Sequence, residues 1–216
     1  MTIDLGYRAL LLRFADCGVV DLEIPQGIGG LAAAITGTVD KDARASVAGF
    51  KPGRSLRLCV FEARNGGDAT DHRLVETAQL LAQAATEACR VTDISTPHVL
   101  HLAGNSERLQ ASSHMSLLEI AVTSGEEDDT WELMSEAIES GLCGSNVADA
   151  DLRIVLKQPS RLVLVEAWSS PRACQRFAHH VLGGILAQLD ISPQHTAWAL
   201  LRKASATLAL PAPISI

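Results

Sequence analysis

The chain has 216 residues, of which 47% are hydrophobic and 20% charged, and its net charge is −7 at pH 7. That length suits one large domain or two small ones, with apolar residues enough for a sizeable core. The acidic balance and the lack of a basic stripe argue against a nucleic-acid binder, and no apolar run approaches the roughly 20 residues that span a bilayer.

The N-terminal stretch MTIDLGYRALLLRFAD has no basic leader and no small-residue cleavage site. It reads as a first strand, Tyr7 to Phe14, and the protein is expected to be soluble and cytoplasmic. The cysteines number five, an odd count with no close pair, which suits free thiols in a reducing compartment. GIGGLA, from Gly27, does not make a dinucleotide fingerprint. Pro25 interrupts the preceding strand and no run of βαβ units follows. A short, glycine-broken helix is expected around Ile28 to Thr36 and a weak strand near Ser46 to Phe50. Leu56 to Ala63 reads as a strand. Thr70 to Cys89 reads as a long helix with Leu74, Ala78, Leu81 and Ala85 on one face. His98 to Ala103 reads as a closing strand, and the polar stretch Gly104 to His114 as a linker.

The second half is more regular. Met115 to Thr123 is an apolar strand. Ser124 can cap a helix whose first turn, Glu126 to Asp129, is acidic, which suits the positive helix end. Trp131, Met134, Ala137 and Ile138 recur at helical spacing, with Gly141 as the expected stop. Leu152 to Lys157 is a strand with Leu152, Ile154 and Leu156 on one face. Pro159 and Ser160 turn the chain into the strand Arg161 to Trp168. Ser170-Pro171 opens a helix with a cap followed by proline at the first position. Cys174, Phe177, Val181, Ile185 and Leu189 give it an apolar stripe. Thr196 to Arg202 is the last strand. The order is β-α-β-β-α-β, a ferredoxin-like arrangement.

Short words recur in order along the chain. RLCVFEAR from Arg57 matches RLVLVEAW from Arg161, and DISTPH from Asp93 matches DISPQH from Asp190. Ordered matches point to an internal repeat. In Arg161 to Trp168, Val163, Val165 and Ala167 point one way, and Leu162, Leu164, Glu166 and Trp168 the other. Both sets are largely apolar, so both faces need cover. Helices cover one face, and the sibling half can supply a sheet for the other. The expected fold is therefore α+β. Two ferredoxin-like halves place antiparallel sheets face to face in a pseudo-dimeric α/β barrel within one chain. The expected divisions are 1–104, a linker 105–114, 115–203, and an apolar tail 204–216.

QPSRLVLVEAW followed by a helix resembles the signature of the antibiotic-biosynthesis-monooxygenase family, small dimeric α/β-barrel proteins. The resemblance covers Met115 to Arg202, and the first half is similar to an eroded copy in which Arg64 stands at the place of Trp168. Where the family carries a histidine on the following helix, this chain has Phe177, with His179 and His180 just beyond. The resemblance implies a monooxygenation of an aromatic or polyketide-like small molecule by O2, with no cofactor. The alternative is a non-catalytic ligand-binding or assembly protein of the same fold.

Such a reaction needs a base, donors for the resulting anion, and a dry aromatic cavity. His179, His195 and Glu166 are the candidate catalytic groups, and Trp168, Phe177 and Trp198 the candidate substrate contacts. Adjacent helical residues diverge by about 100°, so only one of His179 and His180 can face a cavity. Glu166 shares a face with Leu162 and Leu164, and a structural ion pair with Arg13, Arg57 or Arg153 is the competing reading. No cysteine pair or histidine pair has metal-ligand spacing. The pocket is expected between the sheet and helices of the second half. The uncharged tail ASATLALPAPISI is expected to pack on its own barrel or on a second chain, which favours a homodimer.

Overall fold

The computed structural model describes residues 6–14, 30–38, 55–62, 71–80, 91–143, 149–191 and 193–206. Its strands are β1 (Tyr7–Phe14), β2 (Leu31–Thr38), β3 (Ser55–Glu62), β4 (Val91–Ser95), β5 (His98–Gly104), β6 (His114–Ala121), β7 (Leu152–Gln158), β8 (Arg161–Trp168) and β9 (Pro193–Ala206). The helices are α1 (71–80), α2 (Ser106–Leu109), α3 (Glu127–Cys143), α4 (Pro171–Phe177) and α5 (Gly183–Gln188). A π-helical turn, Ala178–Leu182, joins α4 to α5.

Among the described residues the strands form one sheet in the order β3-β2-β9-β6-β8-β7-β5-β1-β4, and β3 also pairs with β1. The sheet therefore closes on itself, and its pairings are antiparallel. Only Thr96 and Pro97 separate β4 from β5. Taken as one broken strand, they leave a ring of about eight, a size at which side chains alone can fill the interior. The fold is α+β, as expected. The expected pair of stacked sheets is corrected to one bonded ring, sealed at β2–β9 and at β5–β7.

The interior core draws on strands all round the ring. Ala9, Leu11, Ile35, Leu58, Val99, Leu117, Ile154 and Val165 belong to it. Val163, Val165 and Ala167 face inward, while Leu162, Leu164 and Trp168 pack under the helices with Trp131, Met134, Phe177, Val181 and Ile185. The two-sided apolar reading of β8 is the pattern observed. A third cluster joins Leu10, Leu12, Phe14, Cys59 and Phe61 to Leu74 of α1.

The repeat words are one residue out of step with the fold. Leu58 and Val60 lie in the interior, but their word partners Leu162 and Leu164 lie under the helices. A one-residue slip moves every side chain of a strand to the opposite face. Matching interiors aligns Leu58 with Val163 and Phe61 with Glu166. Glu62 is then not the counterpart of Glu166.

Other expectations are corrected too. Leu31–Thr38 is a strand, not a helix, because pairing with both β3 and β9 outweighs the helical preference of its alanines. The expected strand at 46–50 and the far part of the helix at 81–89 lie outside the described residues. The linker contains α2, capped by Asn105, whose Oδ1 accepts from the Glu107 and Arg108 amides at 3.0 and 3.1 Å. Helix α3 runs past Gly141 to Cys143. A Cβ on Gly141 would sit 3.1 Å from Val181 Cγ1, so this glycine permits close helix packing instead of ending the helix. Strand β9 extends through Ala206, taking in the first residues assigned to the tail. No helix among the described residues is long and apolar enough to cross a membrane.

Candidate functional site

Three neighbouring strands bring polar groups together on the helix-covered face of the second half. On β7 and β8, Arg153 stands directly opposite Glu166, and on β6, Ser116 stands opposite Glu166 from the other side. Glu166 Oε1 accepts from Arg153 Nε at 2.7 Å, and its Oε2 accepts from Ser116 Oγ at 2.9 Å. Trp168 Nε1 donates to the same Ser116 Oγ at 3.0 Å. Arg153 Nη2 also lies 2.9 Å from Asp149 Oδ1. Burial works against the Arg153 charge, but Glu166 and Asp149 outweigh it and hold the guanidinium firmly protonated.

Aromatic rings enclose this chain of groups. The Arg153 guanidinium carbon lies 4.9 Å from the Phe177 ring centroid, within cation–π reach. Phe177 and Trp168 are 5.2 Å apart between centroids and tilted by 42°. Helix α4 delivers Phe177 because Ser170 caps it, its Oγ accepting from the Ala173 amide at 3.1 Å, with Pro171 at the first position. Burial, and then the nearby Glu166 charge, push the Cys174 thiol far up, so it stays protonated and unreactive.

The structure thus gathers Glu166, Trp168 and Phe177 in one cluster, each at most 4% exposed. Trp198 stands opposite Ser116 and His195 opposite Glu119 in the β6–β9 ladder. Their side chains lie outside the described residues. His179 and His180 are both exposed on the π turn, away from the buried cluster. Of the three arginines considered for Glu166, Arg153 is the one that pairs with it. Arg13 instead pairs with Glu119, which Arg161 Nη1 also approaches at 3.4 Å. These three residues stand at inward-facing positions of β1, β6 and β8.

One group escaped the sequence reading. His101, on β5, packs against Trp131 of α3 with centroids 5.3 Å apart. Burial, followed by the Arg153 charge, lowers its pKa to about 4, so the imidazole is neutral near pH 7. Nothing in HVLHLAG marks it out, because its placement depends on a bulge against β7. Among the described residues, no group of three or more His, Cys, Asp or Glu side chains could hold a metal ion.

No family model and no curated protein matches the chain. Solved structures do. A "putative monooxygenase" of Fusobacterium nucleatum subsp. nucleatum aligns with a TM-score of 0.60 at 10% identity, covering 94% of this chain and 95% of that one. An anthrone oxidase-like protein aligns at 0.58 and 10% identity, covering 95% of each. A third structure, a protein of Lactobacillus acidophilus NCFM bearing the same name as the first, aligns at 0.53 and 12% identity over 93% and 95%. At these identities the chain shares the fold of monooxygenase-like proteins.

Proposed function

We propose that this protein is a cofactor-independent monooxygenase, or a closely related enzyme, acting on an aromatic or polyketide-like small molecule with O2. The observation that carries the reading is the buried Arg153–Glu166–Ser116–Trp168 chain beneath Phe177. A fixed guanidinium against aromatic rings suits a phenolate or enolate, whose charge needs a preorganised donor in a dry setting. The names of the fold neighbours point the same way. We further read the ring as two tandem ferredoxin-like halves with the site in the second, and the protein as a cytoplasmic homodimer.

The chemistry asks little of the protein. An anthrone-type methylene loses a proton, and the electron-rich anion reduces O2 and forms a C–O bond. Loss of water then leaves a carbonyl, so that CH2 and O2 give C=O and H2O. The substrate supplies all the electrons. The chain must bind and orient the ring, hold the anion and accept the proton. Arg153, fixed by Glu166, is the proposed anion holder. Trp168, Phe177 and Trp198 are the proposed aromatic wall. His179, on the exposed π turn, and His195, on β9 opposite Glu119, are proposed to take the proton through water and not by direct contact with the buried cluster.

A second reading has its own support. Glu166 and Arg153 are paired with each other, and Trp168 and Phe177 are each only 1% exposed. That closure suits a ligand-binding or assembly protein without catalysis. Oxygen uptake with anthrone- and naphthol-type substrates, without added flavin or metal, separates the two. Uptake with quinone formation supports the enzyme. Binding without uptake across the panel overturns it in favour of the second reading.

A further inference from the structure

His101 belongs by sequence to the first half, yet its ring lies against Trp131 of α3 in the second half. A bulge brings this about. In the β5–β7 ladder Val99 stands opposite Leu156, and His101, not Leu100, opposite Val155. Val99 and Leu102 belong to the interior core, while Leu100 packs against the helix-side cluster. Strict alternation from Val99 would send residue 101 inward. The extra residue turns His101 outward beside Leu100, the kind of re-aiming that bulges supply near functional sites.

The re-aimed imidazole is half-buried, and among the described residues neither ring nitrogen has a hydrogen-bond partner. The ring nitrogens are not among the fully buried unpaired atoms, so they meet solvent and are open to a partner from outside the chain. The charged groups around it are Arg153 and Asp149, with Glu166 behind Arg153 and the Lys157–Asp128 pair further along β7 and α3. A neutral imidazole is one donor and one acceptor, and Arg153 offers only donors. We propose that His101 is a ligand-binding residue, accepting a hydrogen bond from the hydroxyl of an aromatic ligand that packs on Trp131 beside Arg153. The site is then built across the β5–β7 seam and is incomplete without the first half. This deepens the proposed function by naming a hydroxyl-bearing ring as the ligand class, and it rests on that reading only for the chemistry that follows binding.

Anaerobic binding of 1-naphthol and 1-methoxynaphthalene to the full chain, followed by tryptophan quenching, tests the proposal. The two probes share a ring system, but only naphthol can donate to His101. The expected result is at least tenfold tighter binding of naphthol by the native protein. In His101→Ala the two probes should bind equally, and His101→Gln, which keeps an acceptor, should restore part of the preference. An unchanged preference in His101→Ala, or no preference in the native protein, overturns the assignment. If the alanine variant does not fold, the glutamine variant and Trp131→Phe carry the test, the latter weakening both probes alike; a phenylalanine variant that binds both as well as the native protein overturns the placement on Trp131. Because oxygen is absent, naphthol preference without later O2 uptake sinks the monooxygenase reading alone. Uptake that survives His101→Ala with preference intact sinks this inference alone.

Discussion

Arg153 and Glu166 face each other across β7 and β8 with Nε and Oε1 2.7 Å apart, and both are buried. The pair replaces an apolar contact in the layer between sheet and helices. Arg153 is the counter-charge of Glu166, while Arg153 itself is also paired with Asp149.

Removing one partner should therefore cost far more than removing both. Arg153→Met leaves Glu166 buried without its counter-charge, and a loss of about 3–5 kcal/mol is expected. Arg153→Met with Glu166→Leu should recover most of it, because apolar side chains of similar size can fill the layer. Urea unfolding of the two variants checks this. A double variant no more stable than the single one would show that the pair is not the cause.

His101 should set a slope of stability against pH. Its pKa is lowered to about 4 in the folded chain, by burial first and then by Arg153, from an ordinary value near 6.5. Between those values the unfolded chain binds the extra proton, so stability rises with pH across this window and is fully present above it. Acidifying from pH 7 towards pH 4 should cost roughly 2–3 kcal/mol from this residue, discounted for its partial exposure. The difference in unfolding free energy between native protein and His101→Gln should therefore shrink or reverse as the pH falls. A difference that stays constant from pH 7 to pH 4 would contradict the assignment.

The glycine pair after the π turn should respond in opposite senses. A Cβ on Gly184 would meet nothing within 4 Å, whereas one on Gly183 would lie 3.1 Å from the Ala178 carbonyl oxygen. Gly184→Ala gains helix propensity and should stabilise by about 0.5–1 kcal/mol. Gly183→Ala presses on the backbone that closes the π turn and should be neutral or destabilising. Thermal melts of both variants give the sign directly.

What the sequence made legible follows what is local. The two-sided apolar pattern of 161–168 reports both cores at once, because a strand covered on both faces has no polar alternation. Ser170-Pro171 announces α4 through capping chemistry that needs no tertiary context. Leu31–Thr38 reads wrongly because its alanines favour a helix, while pairing with two distant strands decides for β. The π turn is hidden in a stripe, Cys174, Phe177, Val181 and Ile185, that an unbroken α-helix would also satisfy. His101 is illegible for the deepest reason. Its face is fixed by a bulge at a seam between halves, and the repeat words, a residue out of step, point to Glu62 and Glu166 instead.

The C-terminal segment sets up the last prediction. Ala204 to Ala206 lie in β9, opposite Ile35, Ala34 and Ala33 of β2. Cutting before Ala204 would therefore weaken one of the two seals of the ring as well as remove the tail. Cutting after Ala206 removes only the uncharged TLALPAPISI and keeps every described β2–β9 pairing. A segment so apolar is poorly suited to water, and we expect it to pack as an arm in a homodimer. Light scattering of the full chain against a chain ending at Ala206 should then show a dimer becoming a monomer with an unchanged melting temperature of the monomeric fold. A chain ending at Lys203 should melt lower, since it also loses β2–β9 pairing. A full-length monomer, or a shortened chain that remains a dimer, would remove the tail from the interface.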